Sequence, residues 1–414
     1  MKKLLSFSIT CFLFSCSCNN KEETILIEKD GQVIIQKPYL WWNNGTYNHI
    51  SELWDCSLFN TNVIKEIREK NTSYLASING VNGIVNWKWN DYEKNDFESM
   101  GDPYQFNNFY IEKVANRTYC IDLLSGKTNW KIIRNTSGNW ISSGFGDNYL
   151  EIMFGNLKQH GFPLQAIFIG KVNSSTFYKE INPKYPEYQS LTVNNEAGLC
   201  GRPNGLTFNG HELIFVPYYS PNSIYNGKRF ISLFDLTDNI WIYDSVLISK
   251  ESIGQGLSLK PLFFNNCVIF NIDKSIYKCD LLTGKIIWEK QFNLSSGFGF
   301  GGFIIENNTI FCAAETDGYY ALDAETGDIK WKGERSPGTS SRMAILNGVL
   351  YYINGADARL WALDAATGKT LWRLKSPDNF GFKREINVMP GDGIRKGYVL
   401  TSTWHGACAY EAER

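Results

Sequence analysis

Along Tyr319-Tyr320-Ala321-Leu322-Asp323-Ala324-Glu325-Thr326-Gly327-Asp328-Ile329-Lys330-Trp331 the apolar and polar positions predict a strand, a tight turn and a second strand. The first strand is built from large apolar residues and stops at Asp323. An Asp there can accept backbone N–H bonds inside the turn, and Gly327 can take the positive φ that the reversal needs. Trp331 ends the second strand with a broad apolar face and one N–H donor, a shape suited to wedging between stacked sheets.

The hairpin recurs. Gly stands four residues before Trp at Gly83/Trp87, Gly126/Trp130, Gly284/Trp288, Gly327/Trp331 and Gly368/Trp372, and eight residues before each Trp stand Asn79, Asp122, Asp280, Asp323 and Asp364. Trp87 and Trp130 are 43 residues apart, as are Trp288 and Trp331, and Trp372 follows after 41 more. Weaker copies fill the gap: Ile231-Ser232-Leu233-Phe234-Asp235 leading to Trp241, and residues 166–169 leading to Asn173 and Phe177. The 64-residue step from Phe177 to Trp241 requires an insertion, and residues 181–203 and 218–229 are the longest departures from the repeat. Asn347-Gly348 and Asn209-Gly210 sit between apolar runs and read as hairpin turns, so each unit is four antiparallel strands.

A period in the forties with several short strands per unit predicts an all-β propeller. Outer strands at Ile35, Trp87, Trp130, Phe177, Trp241, Trp288, Trp331 and Trp372 count eight blades. Seven follows instead if residues 24–72 form a separate extension. Residues 30–37 align with 283–290 and look like an orphan outer strand, while the C-terminus offers three strands without a fourth. Pairing of residues 33–36 with 407–410 is therefore expected to close the ring, leaving no dangling edge. Residues 62–70 read as one or two helical turns.

The pattern Ala-Leu-Asp-Ala-x-Thr-Gly-x-x-x-Trp, best kept from Leu322 to Trp331 and Leu363 to Trp372, resembles the pyrroloquinoline-quinone-type (quinoprotein-like) propeller repeat over nearly the whole chain after the leader. Asp122, Gly126 and Trp130, Asp280, Gly284 and Trp288, and Asp364, Gly368 and Trp372 carry it in the other units. Residues 1–18 read as that leader: Lys2-Lys3, an apolar run too short to span a bilayer, then Leu13-Phe14-Ser15-Cys16, which resembles a bacterial lipobox. Cys16 is the expected lipid attachment, Cys18 the weaker alternative, and an ordinary cleaved signal the bland reading. Lys21-Glu22-Glu23 resembles the acidic tag of surface-directed Bacteroidetes-type lipoproteins. Residues 24–414 then form a single propeller domain.

Net charge is −1, with no basic stripe, which argues against a nucleic-acid partner. Seven cysteines follow the leader, an odd count that leaves at least one thiol free. The four histidines show no metal-ligand spacing, so no metal is expected. Gly297-Phe298-Gly299-Phe300-Gly301-Gly302 runs into a strand and offers no helix N-terminus for a phosphate. Catalytic quinoproteins carry an adjacent cysteine pair, calcium-binding carboxylates and an Asp base on long insertions. No two cysteines are adjacent here and the units are compact, which argues against pyrroloquinoline quinone, any other cofactor and a catalytic set.

The resemblance instead implies the lipoprotein branch of the outer-membrane protein assembly machinery: a lipid-anchored envelope scaffold on the periplasmic side or the cell surface. Its partner would be another envelope protein or an extended polypeptide, with glycan as a third possibility. The alternative is a quinone- or sugar-binding enzyme or sensor that uses the central funnel. Outer-to-inner connections and middle-strand hairpins share one face of a propeller. That face is expected to hold Trp140, Phe145, Arg202, Phe298, Phe300, Arg342, Phe380, Phe382, Lys383, Arg384, Trp404 and His405. Aromatics interleaved with Arg are typical interface anchors.

Overall fold

A computed structural model describes residues 24–27, 33–36, 38–44, 57–69, 72–92, 103–114, 116–133, 140–159, 162–183, 198–199, 202–219, 228–249, 260–294, 299–315, 317–334, 342–403 and 405–414. The leader with Cys16 and Cys18, the Lys21-Glu22-Glu23 tag, Phe298, Trp404 and most of the 181–203 insertion lie outside them. Within them the secondary structure is all β, in eight antiparallel blades of four strands each. Blades 1 to 7 begin on inner strands Ser57–Phe59, Tyr104–Phe106, Trp140–Phe145, Asn204–Phe208, Leu262–Phe264, Phe300–Glu306 and Ala344–Leu346. Their outer strands are Val85–Trp89, Lys127–Ile133, Phe177–Ile181, Ile240–Ser249, Ile286–Gln291, Ile329–Lys332 and Thr370–Leu374. Blade 4 carries one extra short strand, Gly198–Leu199, on its second strand.

Blade 8 closes the ring. Phe382–Pro390, Gly397–Thr403 and Gly406–Glu411 supply three strands, and Trp41–Asn44 pairs antiparallel with the last, Trp41 opposite Ala409. The closing strand is thus not residues 33–36. Val33–Gln36 instead runs parallel to the outer strand of blade 7, Ile35 opposite Leu374, and forms a hairpin with Thr24–Ile27. The reason lies in the side chain that the closure needs: Trp41 donates its indole N–H to the Gly80 carbonyl at 2.8 Å, which Ile35 cannot do. The helical reading of residues 62–70 is also corrected. Asn62–Glu69 is the second strand of blade 1, its apolar residues held by pairing with Thr72–Asn79.

Each hydrophobic cluster is shared by two neighbouring blades, and the clusters run round the circle. Ile111 and Cys120 of blade 2 pack with Ile141 and Tyr149 of blade 3. Tyr351 and Trp372 of blade 7 pack with Phe382 and Tyr410 of blade 8, and Leu400 of blade 8 packs with Val63 of blade 1. Among the described residues no blade has a core of its own, so the ring is the folding unit.

The repeat is a docking device. In blades 1 to 7 a bulge shifts the register between the residue two before the turn Asp or its equivalent and the residue one before it, as at Ala321/Leu322 and Ala362/Leu363. The bulge re-aims the outer-strand residue opposite the first of these. There Trp331 donates to the Ala365 carbonyl of blade 7 at 2.9 Å, Trp87 to Leu123 and Trp130 to Val172. Gly368 has φ +72, and a Cβ on it would stand 2.5 Å from the Trp331 indole. Two demands, a left-handed turn and a flat seat for the indole, meet on one residue. Asp323 Oδ1 accepts the Glu325 and Thr326 N–H groups at 2.9 and 3.1 Å, as Asp122 does those of Leu124 and Ser125.

Two blades depart from this scheme. In blade 4 the position opposite Leu233 is Tyr243, not Trp241, and Tyr243 lies 3.1 Å from a Cβ built on Gly284. In blade 3 the position opposite Ile169 is Lys179, not Phe177, and its ammonium bonds Asn239 Oδ1 in the turn of blade 4. Phe177 and Trp241 pack back on their own sheets, against Phe168 at 5.3 Å and Phe234 at 5.0 Å.

Candidate partner-binding face

The strand directions give the ring two faces. One carries the inner hairpins and the Asp-x-x-x-Gly turns; the other carries the outer-to-inner connections and the middle hairpins. On this second face lie the first residues of inner strands, hence the backbones of Trp140, Phe300 and Phe382, with Arg202 and Arg342 just before such strands. Phe145 is placed at the other end of its strand, beside the Gly146-Asp147 turn, where it is buried against Gly205 of blade 4.

Phe300 and Phe382 are buried as well. Phe300 meets Phe292 edge-on at 5.2 Å, and Phe382 meets Tyr410 at 6.0 Å. Lys383 is buried, Arg202 half-buried and Arg342 exposed. Arg384 lies in the inner strand of blade 8. The structure therefore does not gather all the aromatics into one exposed patch; several seal the seams between blades.

What it does bring together is a cluster on the connection between blades 7 and 8. Ser376 Oγ donates to Asp378 Oδ1 at 2.8 Å, the Phe380 N–H donates to the same oxygen at 3.0 Å, and the Gly381 N–H reaches Ser376 Oγ at 2.8 Å. The Phe382 N–H binds the Ala358 carbonyl at 2.7 Å, which ties the turn to the middle hairpin of blade 7. Asp378 Oδ2 faces His405 Nδ1 at 3.0 Å, and His405 stands edge-on to Phe380 at 4.5 Å. Phe380 is 67% exposed although its backbone is pinned on both sides. Burial works to raise the Asp378 carboxyl, but hydrogen bonds from Thr403, the Phe380 N–H, His405 and Ser376 outweigh it and hold it below the usual carboxylate range.

The order of these groups matters chemically. Asp378 lies between Ser376 and His405, so the hydroxyl gives its hydrogen bond to the carboxylate rather than to the imidazole. The cluster positions a ring rather than activating one. Sequence reading named Phe380 and His405 but missed Asp378 and Ser376; the short Ser-x-Asp-x-Phe-Gly spacing of a self-bonded turn was the available signal.

Four of the five described cysteines do not fit a quinone cradle, and Cys267 is half-buried. Cys120, Cys279, Cys312 and Cys408 are buried within strands, and burial pushes the Cys120 and Cys279 thiols up to about 12.

Residues 273–388 match the family described as outer membrane protein assembly factor BamB. The BamB of Bordetella pertussis is 28% identical over 127 residues, 30% of this chain and 31% of that protein. A quinone-dependent alcohol dehydrogenase subunit from Gluconobacter oxydans is 32% identical over 130 residues, 28% of this chain and 17% of that one. The chain thus matches less than a third of the length of either protein. The crystal structure of BamB from Moraxella catarrhalis superposes with a TM-score of 0.59 at 11% identity, covering 89% of this chain and 99% of that one, a likeness of fold. The chain is an eight-bladed β-propeller of pyrroloquinoline-quinone-type repeats that resembles BamB.

Proposed function

We propose that this protein is a lipid-anchored, non-catalytic scaffold of the cell envelope that holds another envelope protein or an extended polypeptide during outer-membrane protein assembly. The observation that carries the reading is the pinned, exposed Phe380 beside His405 on the connection face. A rigid exposed aromatic next to a polar ring forfeits little entropy on binding, which is what an anchor needs. The stretch that matches the BamB description runs through blades 5 to 7 into blade 8 and includes the Ser376–Phe380 turn. Attachment through Cys16 completes the reading, since acylation supplies anchoring without a spanning helix.

Crosslinking in native outer membranes tests it. The wild-type chain is expected to capture one envelope protein reproducibly, and Phe380→Ala with His405→Ala to lose it. Phe380→Ala alone should change stability by no more than about 0.5 kcal/mol, because the ring is exposed. Capture unchanged in the double variant would overturn the assignment of the face. Cys16→Ala should abolish incorporation of labelled fatty acid.

The similarity to the quinone-dependent dehydrogenase favours a second reading, a small-ligand site in the funnel. Protein purified with added quinone and calcium would then show visible absorbance and bound metal. The burial of Cys120, Cys279, Cys312 and Cys408 within strands argues against that outcome.

A further inference from the structure

On the turn face of blade 4, the geometry points to a binding site for a zinc-like divalent cation, held by His211, Asp235 and Asp238. His211 opens the second strand of the blade, and the two aspartates come from its outer turn. His211 Nδ1 lies 2.7 Å from Asp235 Oδ2 and 3.6 Å from Asp238 Oδ2, and one donor atom from each residue falls within 4.8 Å of the others. Ligand bonds of about 2.0–2.1 Å in a tetrahedron put donor atoms about 3.3 Å apart, so these separations bracket the required edge. An imidazole with two carboxylates suits zinc and its transition-metal neighbours rather than calcium or magnesium, which call for more oxygens.

The repeat itself supplies the second argument. At the position of Asp238 the Asp turns of blades 2, 5, 6 and 7 carry a hydroxyl, and in two of them it donates to the turn Asp: Thr283 Oγ1 to Asp280 at 2.8 Å and Thr367 Oγ1 to Asp364 at 2.9 Å. Blade 4 replaces that donor with a carboxylate, which sets a second negative charge beside Asp235 and gives a bound cation a further oxygen donor. Asp235 stays in place because its Oδ1 accepts the Thr237 and Asp238 N–H groups at 2.9 and 3.1 Å, which leaves Oδ2 aimed at the imidazole. Elsewhere an indole covers such a turn, except in blade 5, where Tyr243 does. Here Lys179 stands in the indole's place and bonds the Asn239 amide oxygen; Asp235 is buried, while His211 and Asp238 remain open at 43% and 55% exposed. Three protein ligands leave a fourth position for water or a donor from a partner. The histidine spacing hid the site because its donors come from two turns more than twenty residues apart.

The test is titration of the full chain with zinc by calorimetry and with cobalt(II) by visible absorbance. One saturable equivalent is expected, with weak visible bands and no intense thiolate band. His211→Ala and Asp238→Thr should each lower affinity by at least about 10-fold, the size already seen when only a group supporting a ligand is removed. Asp238→Thr restores the residue of the regular turns, so its metal-free melting temperature should not fall below that of wild type. No saturable binding, a thiolate band, or unchanged affinity in both variants would overturn the site.

Discussion

Blades 5 to 7 and blades 3 and 4 solve the same packing problem with different residues. Trp331 of blade 6 seats on a glycine and gives its N–H to a turn carbonyl. Blade 4 puts Tyr243 against Gly284, and blade 3 puts Lys179 against Asn239. The bulge fixes where a residue docks, whatever that residue is; an indole then makes the joint dry, and a lysine makes it polar. The candidate cation site sits beside the one described joint that carries a lysine.

Removing the docking residue should separate the two regions most. Trp331→Ala is expected to destabilise by on the order of 3 kcal/mol, the low end for a large packed aromatic. Lys179→Ala should fall below about 1 kcal/mol, as for a partly exposed polar contact. Denaturant midpoints decide, and equal losses would mean that the joints are equivalent. Gly368→Ala should lose about 1–3 kcal/mol, because φ is +72 and the indole is 2.5 Å from the new methyl. Gly284→Ala should lose less, since the atoms 3.1 Å away belong to side chains that can shift.

Acid should act through the aspartate turns. Burial opposes the shift at Asp122 and Asp323, but backbone N–H bonds win and lower both carboxyls; at Asp364 the Arg414 guanidinium and Thr367 do so. Carboxyls lowered in the folded state stabilise it above the ordinary value of 3.8, and that contribution fades as pH falls through the lower folded value. Hydrogen exchange in the turns of blades 2, 6 and 7 should therefore quicken below that pH before it does in blade 1, where Asn79 accepts the same N–H bonds without titrating. The smallest effect is Asn239→Gly, which restores the repeat glycine and should shift stability by no more than about 0.5 kcal/mol.

The phase of the repeat was legible where three fixed residues recur, as in Asp364, Gly368 and Trp372, because each meets a local demand of the turn. It failed where one element was missing. Without the glycine, Phe177 and Trp241 looked like docking residues, yet the bulge counts from the inner strand and selects Lys179 and Tyr243. Phe145 is expected from the connection geometry on the face of Trp140, while its strand carries it to the opposite rim.

The sequence by itself determined the class and the turn chemistry and favoured eight blades over seven, since hydrophobic period, Asp and Gly act within a few residues of one another. Only the tertiary structure decided that Trp41 rather than Ile35 closes the ring, that Asp378 meets His405, and that His211 meets two aspartates. Those outcomes depend on contacts between segments that are distant along the chain, and no local preference encodes such contacts.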